Sequence, residues 1–86
     1  MANMQLTIVT PSGLEYDGEA EFVRVRATTG DVAILPKHID YAAALGRGRA
    51  KIVADGKPRE ADIDGGMLIV SQDKVEILTS NFLWTE

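Results

Sequence analysis

The sequence predicts an all-β fold, a small antiparallel β-sandwich or flattened barrel of about eight to ten short strands. Three observations carry that expectation. Apolar residues recur with a period of two in successive runs, as in Met4-Gln5-Leu6-Thr7-Ile8, the spacing of a half-buried strand. Turn residues punctuate these runs, at Pro11-Ser12-Gly13, Asp17-Gly18, Asp55-Gly56 and Gly65-Gly66. The one alanine-rich segment, Tyr41-Ala42-Ala43-Ala44-Leu45, is far shorter than the ~12 residues an independent helix needs.

In chain order, Met4–Thr10 reads as a strand with Met4, Leu6 and Ile8 inward, and Pro11-Ser12-Gly13 as a turn. Leu14-Glu15-Tyr16 reads as a short strand that Asp17-Gly18 ends. In Glu21–Arg26, Val23 and Val25 point inward while Arg24 and Arg26 point out. A Gly30-Asp31 turn opens the strand Val32–Leu35, and Pro36, which cannot donate to a ladder, stops it. His38, the sole histidine, follows in a segment that must leave the sheet. Tyr41–Leu45 reads as a strand closed off by Gly46 and Gly48, with Gly46-Arg47-Gly48 as a turn. Arg49–Ala54 and Lys57–Ile63 form a hairpin through Asp55-Gly56, where a type I′ turn requires φ > 0 at both positions. Gly65-Gly66 breaks the second arm. Met67–Val70 is apolar on both faces, as a central strand or one side of an interface would be. Ser71-Gln72-Asp73 turns the chain into Lys74–Leu78, with Val75 and Ile77 inward. The tail at residues 79–86 carries Phe82-Leu83-Trp84, which either folds back on the sandwich or forms a contact segment for another chain.

At 86 residues the chain reads as a single domain, 1–86. There is no Cys and one His, so stability must come from packing rather than from bridges or a metal. The formal net charge is −4, and the basic residues alternate with apolar ones along the chain; no nucleic-acid partner is expected, because phosphate backbones are bound by clustered Lys and Arg. A single-strand binder would also need stacking aromatics along a basic groove. The start carries no signal-peptide pattern, and no window approaches the ~18 apolar residues of a spanning helix, so a soluble chain without direct membrane insertion is expected. Catalysis needs a nucleophile with its base, paired carboxylates or a metal set. His38 beside Asp31 and Asp40 offers too few ligands for a closed metal site, and Ser12, Ser71 and Ser80 stand without a motif. The expectation is no catalytic residue, no metal and no cofactor.

One pattern is distinctive as a whole. Gly30-Asp31-Val32-Ala33-Ile34-Leu35-Pro36-Lys37-His38, preceded by Val9-Thr10-Pro11 and followed by Gly65-Gly66-Met67-Leu68-Ile69-Val70, resembles the epsilon subunit family of F-type ATP synthases (delta in mitochondria), in its N-terminal β-sandwich domain. The likeness runs from Met4 to Leu78 in one register. Lys37 stands where that family usually has Gly, and Ile39-Asp40 where it has Ala-Pro.

The resemblance implies a non-catalytic rotor part of the central stalk, coupling the gamma subunit to the c-ring during rotary, proton- or sodium-driven ATP synthesis. It implies a peripheral position on the cytoplasmic face of the membrane (or the thylakoid in a plastid), with gamma and the polar c-ring loops as partners. Carried over by position, Asp31 matches the acidic c-ring contact, and His38, Ile39, Ala43 and Thr10 match positions lying toward gamma. The sequence stops where the family continues into a C-terminal helical hairpin, so a form without that inhibitory and ATP-sensing element is expected. The alternative is a lipoyl- or biotinyl-type carrier domain modified at Lys74, on the letters Asp73-Lys74-Val75. Against it, Lys74 lies twelve residues from the end rather than between two quasi-symmetric halves.

Overall fold

The computed structural model describes residues 3–35, 40–72 and 74–85. They form β1 (Met4–Thr10), β2 (Gly13–Ala20), β3 (Phe22–Ala27), β4 (Gly30–Ile34), β5 (Tyr41–Ala54), β6 (Lys57–Ser71), β7 (Lys74–Leu78) and β8 (Phe82–Trp84). The strands run in the order β2-β1-β7-β6-β5-β3-β4, with β8 also on β6. The ladders are antiparallel except one: β1 and β7 run parallel, from Gln5↔Lys74 to Val9↔Leu78.

Period-two patterning gives the layers directly. Met4, Leu6 and Ile8 of β1, Val23 and Val25 of β3, Ile52 of β5, Leu68 of β6 and Ile77 of β7 are at most 2% exposed and meet in one core. Burying such side chains contributes roughly 1.5–3 kcal/mol each, which a chain without bridges needs.

The long strands β5 and β6, of 14 and 15 residues, serve both layers. They hold one register from Tyr41↔Val70 to Ala54↔Lys57, closed by the Asp55-Gly56 turn. Asp55 and Gly56 both have positive φ, 54° and 71°, as a type I′ turn demands. Gly65-Gly66 therefore does not break the strand; both glycines have positive φ, 71° and 121°, and β6 bends there without ending. Gly46-Arg47-Gly48 is likewise no turn. It lies within β5, where pairing to β3 jumps from Arg24↔Lys51 to Ala27↔Leu45, so β5 carries the extra residues of an irregularity that turns it out of one layer toward the other.

Two further expectations change. Asp17-Gly18 does not end the second strand, since both pair with β1, at Thr7↔Asp17 and Leu6↔Gly18. Gly30-Asp31 is not a turn either: Thr28-Thr29 forms the tip between Ala27 and its partner Gly30, and Asp31 is already in β4. The two-residue spacing between paired Ala27 and Gly30 makes the threonines the only residues left to turn.

β7 and β8 pair with β6 in a common line, Met67↔Leu78 continuing as Ile63↔Phe82. Between them, at the bend, the Thr79 hydroxyl donates to the Gly65 carbonyl at 2.7 Å and the Ser80 hydroxyl donates to that of Asp64. Side chains thus satisfy carbonyls that a bent strand cannot offer to a ladder. The tail packs internally: Phe82 is 8% exposed, and Trp84 meets Phe82 edge-on at 4.9 Å and Tyr16 at 6.1 Å. Arg59 lies over the indole at 3.7 Å. Only Leu83 of the three stays outside, 64% exposed.

Two stability predictions follow from the bend. A Cβ on Gly66 would lie 1.9 Å from the Leu78 carbonyl oxygen, whereas one on Gly65 meets nothing within 4 Å. Gly66→Ala is expected to cost about 3 kcal/mol or more, or to prevent folding, and Gly65→Ala about 1–2 kcal/mol through φ alone. Equal urea midpoints for the two variants would contradict this. Thr79→Val, which leaves the Gly65 carbonyl without its donor, is expected to cost about 1–3 kcal/mol, read from the same unfolding curves.

Candidate functional site

The β3–β4 hairpin puts Asp31 at the end of the sandwich. The Thr28 backbone N–H donates to the Ala44 carbonyl at 3.0 Å, which ties the tip to β5. Asp31 pairs with Arg26 in the ladder, and the Arg26 Nε meets Asp31 Oδ1 at 2.9 Å, each side chain 55% exposed. The carboxylate therefore faces solvent as expected, but as half of an ion pair. The stem of Arg26 lies over Gly48, where an added Cβ would be 2.8 Å from Arg26 Cβ. The glycine of β5 makes room for the arginine that reaches the aspartate.

The candidate gamma-side residues are not all brought together. Thr10 is only 8% exposed, and its hydroxyl donates to Glu15 Oε2 at 3.0 Å while accepting the Ser12 N–H at 3.2 Å. Ala43 lies on β5 opposite Leu68, half-buried. His38 and Ile39 lie outside the described residues. Asp40, just beyond them, accepts the Gln72 N–H at 3.0 Å, which ties the entry to β5 to the β6–β7 turn. Lys74 is an exposed ladder residue of β7, opposite Ser71 and Gln5.

Two surfaces went unseen in the sequence. The first is an apolar rung across five strands: Leu14 of β2 pairs with Val9, Val9 with Leu78, Leu78 with Met67 and Met67 with Ala44. Leu14 is 60% exposed, Met67 43% and Leu78 42%. Four inter-strand gaps make this rung roughly 19 Å long. Val9 and Leu78 each sit between buried residues of their own strand, and Met67 and Ala44 each precede one, so alternation assigns these four to the outer face; Leu14 joins them through its pairing with Val9. The second is a ladder of charges between β5 and β6, where Arg47, Arg49 and Lys51 stand opposite Asp64, Asp62 and Glu60. Arg47 meets Asp64 at 3.3 Å, and Arg49 meets Asp62 at 3.2 Å and Glu60 at 3.6 Å. The groove of about 490 Å³ over this ladder is lined by Arg47, Arg49, Asp62 and Asp64 with Gly48, Ile63 and Asn81, and its guanidiniums are already matched by carboxylates. Among the described residues no group of His, Asp and Glu could hold a metal.

Comparison with known proteins follows the same outline. Residues 3–85 match the family described as ATP synthase, Delta/Epsilon chain, beta-sandwich domain. The chain is similar to the ATP synthase epsilon chains of Bacillus velezensis, 44% identical over 91% of this chain and 59% of that protein, and of Alkaliphilus oremlandii, 39% identical over 99% and 63%. It thus spans about three fifths of the length of these curated relatives. It also shares its fold with a chain in the Euglena gracilis mitochondrial ATP synthase (OSCP/F1/c-ring), with a TM-score of 0.91 at 21% identity over 98% of this chain and 54% of that one. A chain of the Tetrahymena thermophila mitochondrial ATP synthase central stalk/c-ring gives 0.78 at 18% identity, over 93% and 65%.

The half-exposed Arg26–Asp31 pair contributes little to folding, since exposed pairs are worth ~0–1 kcal/mol. Asp31→Asn is expected to shift the unfolding free energy by less than about 1 kcal/mol. A larger loss in urea titration would make the pair a structural element of the hairpin.

Proposed function

We propose a role that starts from family membership: the chain belongs to the ATP synthase delta/epsilon family and carries its β-sandwich domain. It acts as a non-catalytic central-stalk part that couples the gamma subunit to the c-ring, at the membrane surface and without inserting. No helix among the described residues is long and apolar enough to cross a membrane; the association runs through the complex.

The observation that carries this reading is the apolar rung Leu14–Val9–Leu78–Met67–Ala44. Exposed apolar side chains aligned across a sheet mark contact surfaces more strongly than scattered ones. Ala43, one residue from Ala44 on β5, faces the other side of the strand opposite buried Leu68, so it backs the rung rather than extending it. Thr10, next to Val9 on β1, serves that face as a buried support for the Pro11–Gly13 turn rather than by direct contact; the assignment of His38 and Ile39 to gamma rests on the family resemblance alone. The tip with Asp31 meets the polar c-ring loops. A torque-bearing coupler needs stiffness between its two contacts, and the close-packed core supplies it.

Met67→Glu places a charge in the middle of the rung on an exposed position, so folding should persist while association with gamma falls by tenfold or more, about 1.4 kcal/mol or above. Leu83→Glu, on the opposite outer face, should leave association unchanged. Co-purification and titration against a gamma subunit read both. Unchanged binding by Met67→Glu would remove the rung from the interface.

A further inference from the structure

We infer that Arg24 and Lys51 form a binding site for a phosphate group, free or carried on a small ester, on the outer face that bears Leu83 and away from the apolar rung. The outer face of β3, β4, β5 and the start of β6 carries the cations Arg24, Arg26, Arg47, Arg49 and Lys51 and the acids Asp31, Glu60, Asp62 and Asp64. Each acid is engaged by an arginine: Asp31 by Arg26, Asp64 by Arg47, and Asp62 and Glu60 by Arg49. Arg24 and Lys51 are the cations left over; among the described residues neither side chain has an ion pair or a hydrogen bond.

The two are direct cross-strand partners and both half-buried, so like charges are held about 5 Å apart at Cβ, an arrangement that is unfavourable without an anion between them. Ala33, on the far side of Arg24, brings no charge. Glu60 stands opposite Lys51, but its carboxylate lies with Arg49 at 3.6 Å. One row along, Phe22, Val53 and Pro58 pair with one another, and an apolar flank strengthens the field of both cations. Beside Lys51 a groove of about 400 Å³, lined also by Pro58, Arg59, Glu60 and Thr85, has room for the ion. A carboxylate held by the Arg24 fork would leave Lys51 charged next to it. A phosphate group carries about −1.5 to −2 charges and enough acceptor oxygens to meet the guanidinium and the ammonium together.

The test titrates the full, isotope-labelled chain with inorganic phosphate at constant ionic strength and follows its amide resonances by nuclear magnetic resonance. Those of Arg24, Ala33, Lys51 and Val53 should move together and saturate, half-way at about 1–10 mM, while those of Met67 and Leu78 on the rung stay still. Acetate over the same range should not saturate them. Arg24→Gln and Lys51→Gln should stay folded, since neither side chain loses a partner, and each should weaken the affinity about two- to fivefold. Lys57→Gln, at the exposed hairpin end, should bind as wild type does. Phenyl phosphate reads the source: tighter binding than inorganic phosphate assigns an ester that also uses Phe22 and Val53, weaker binding assigns the free ion, and both support the site. Shifts that never saturate, or that are unchanged in the Arg24 and Lys51 variants, would reduce the effect to general ion exclusion and overturn the site. Saturation by acetate at the same midpoint would overturn the phosphate assignment.

Discussion

The structure depends on a contact that only glycine permits. At Gly66 the backbone takes φ of 121° and the Leu78 carbonyl oxygen occupies the space a Cβ would need. That close approach lets β6 change direction without losing its neighbours. Because it does not end, β5 can follow it in one register from the Asp55-Gly56 turn to Val70. On its other side β7 and β8 share one line, with Thr79 and Ser80 hydroxyls covering the carbonyls exposed at the bend. A fifteen-residue strand thus serves both layers, and the core closes around it without a disulfide.

A fixed register also decides what the outer faces carry. Shifting β6 by one residue against β5 would turn its inward set outward, and would also take Asp64, Asp62 and Glu60 away from Arg47, Arg49 and Lys51. The charge ladder therefore favours the correct pairing even though each exposed pair contributes little by itself. In the other half of the same two strands, Met67 and Ala44 extend the apolar rung through Leu78 and Val9 to Leu14. One hairpin carries two outer surfaces of opposite character, and the glycines at its bend divide them.

Local pattern made much of this legible. The inward positions of β1, β3 and β7, the Asp55-Gly56 turn and the strand at Tyr41 all follow from period and turn chemistry, because each is settled within a few residues. The glycines were misread for the same reason. Gly46, Gly48, Gly65 and Gly66 signal a backbone that departs from an ordinary strand, and a turn is the commoner cause; whether the chain reverses or only bends is decided by the strands packed beside it. The exposure of Asp31 was legible, but its place within β4 and its partner Arg26 became visible only with the β3–β4 register. The apolar rung was illegible for a further reason. Leu14 and Leu78 each look like a single misplaced apolar residue, which is unremarkable on any protein surface, and Met67 opens a run that is apolar on both faces; only strand order makes the three neighbours.

The parallel ladder between β1 and β7 shows how distant pairings build the proposed partner face. β1 comes from the start of the chain and β7 from near its end, yet Val9↔Leu78 is the link that joins the Leu14 side of the rung to the Met67 side. Without it the apolar residues would fall into a pair, Leu14 and Val9, and a separate set of three, Leu78, Met67 and Ala44. The same link carries the Thr79 N–H to the Val9 carbonyl at 3.0 Å, immediately beside the Thr79 hydroxyl that caps Gly65. Bend, ladder and rung are therefore mechanically one unit. From the bend at Gly66, β5 follows β6 back to Ala44, whose carbonyl accepts the Thr28 N–H and so joins the rung's end to the β3–β4 tip.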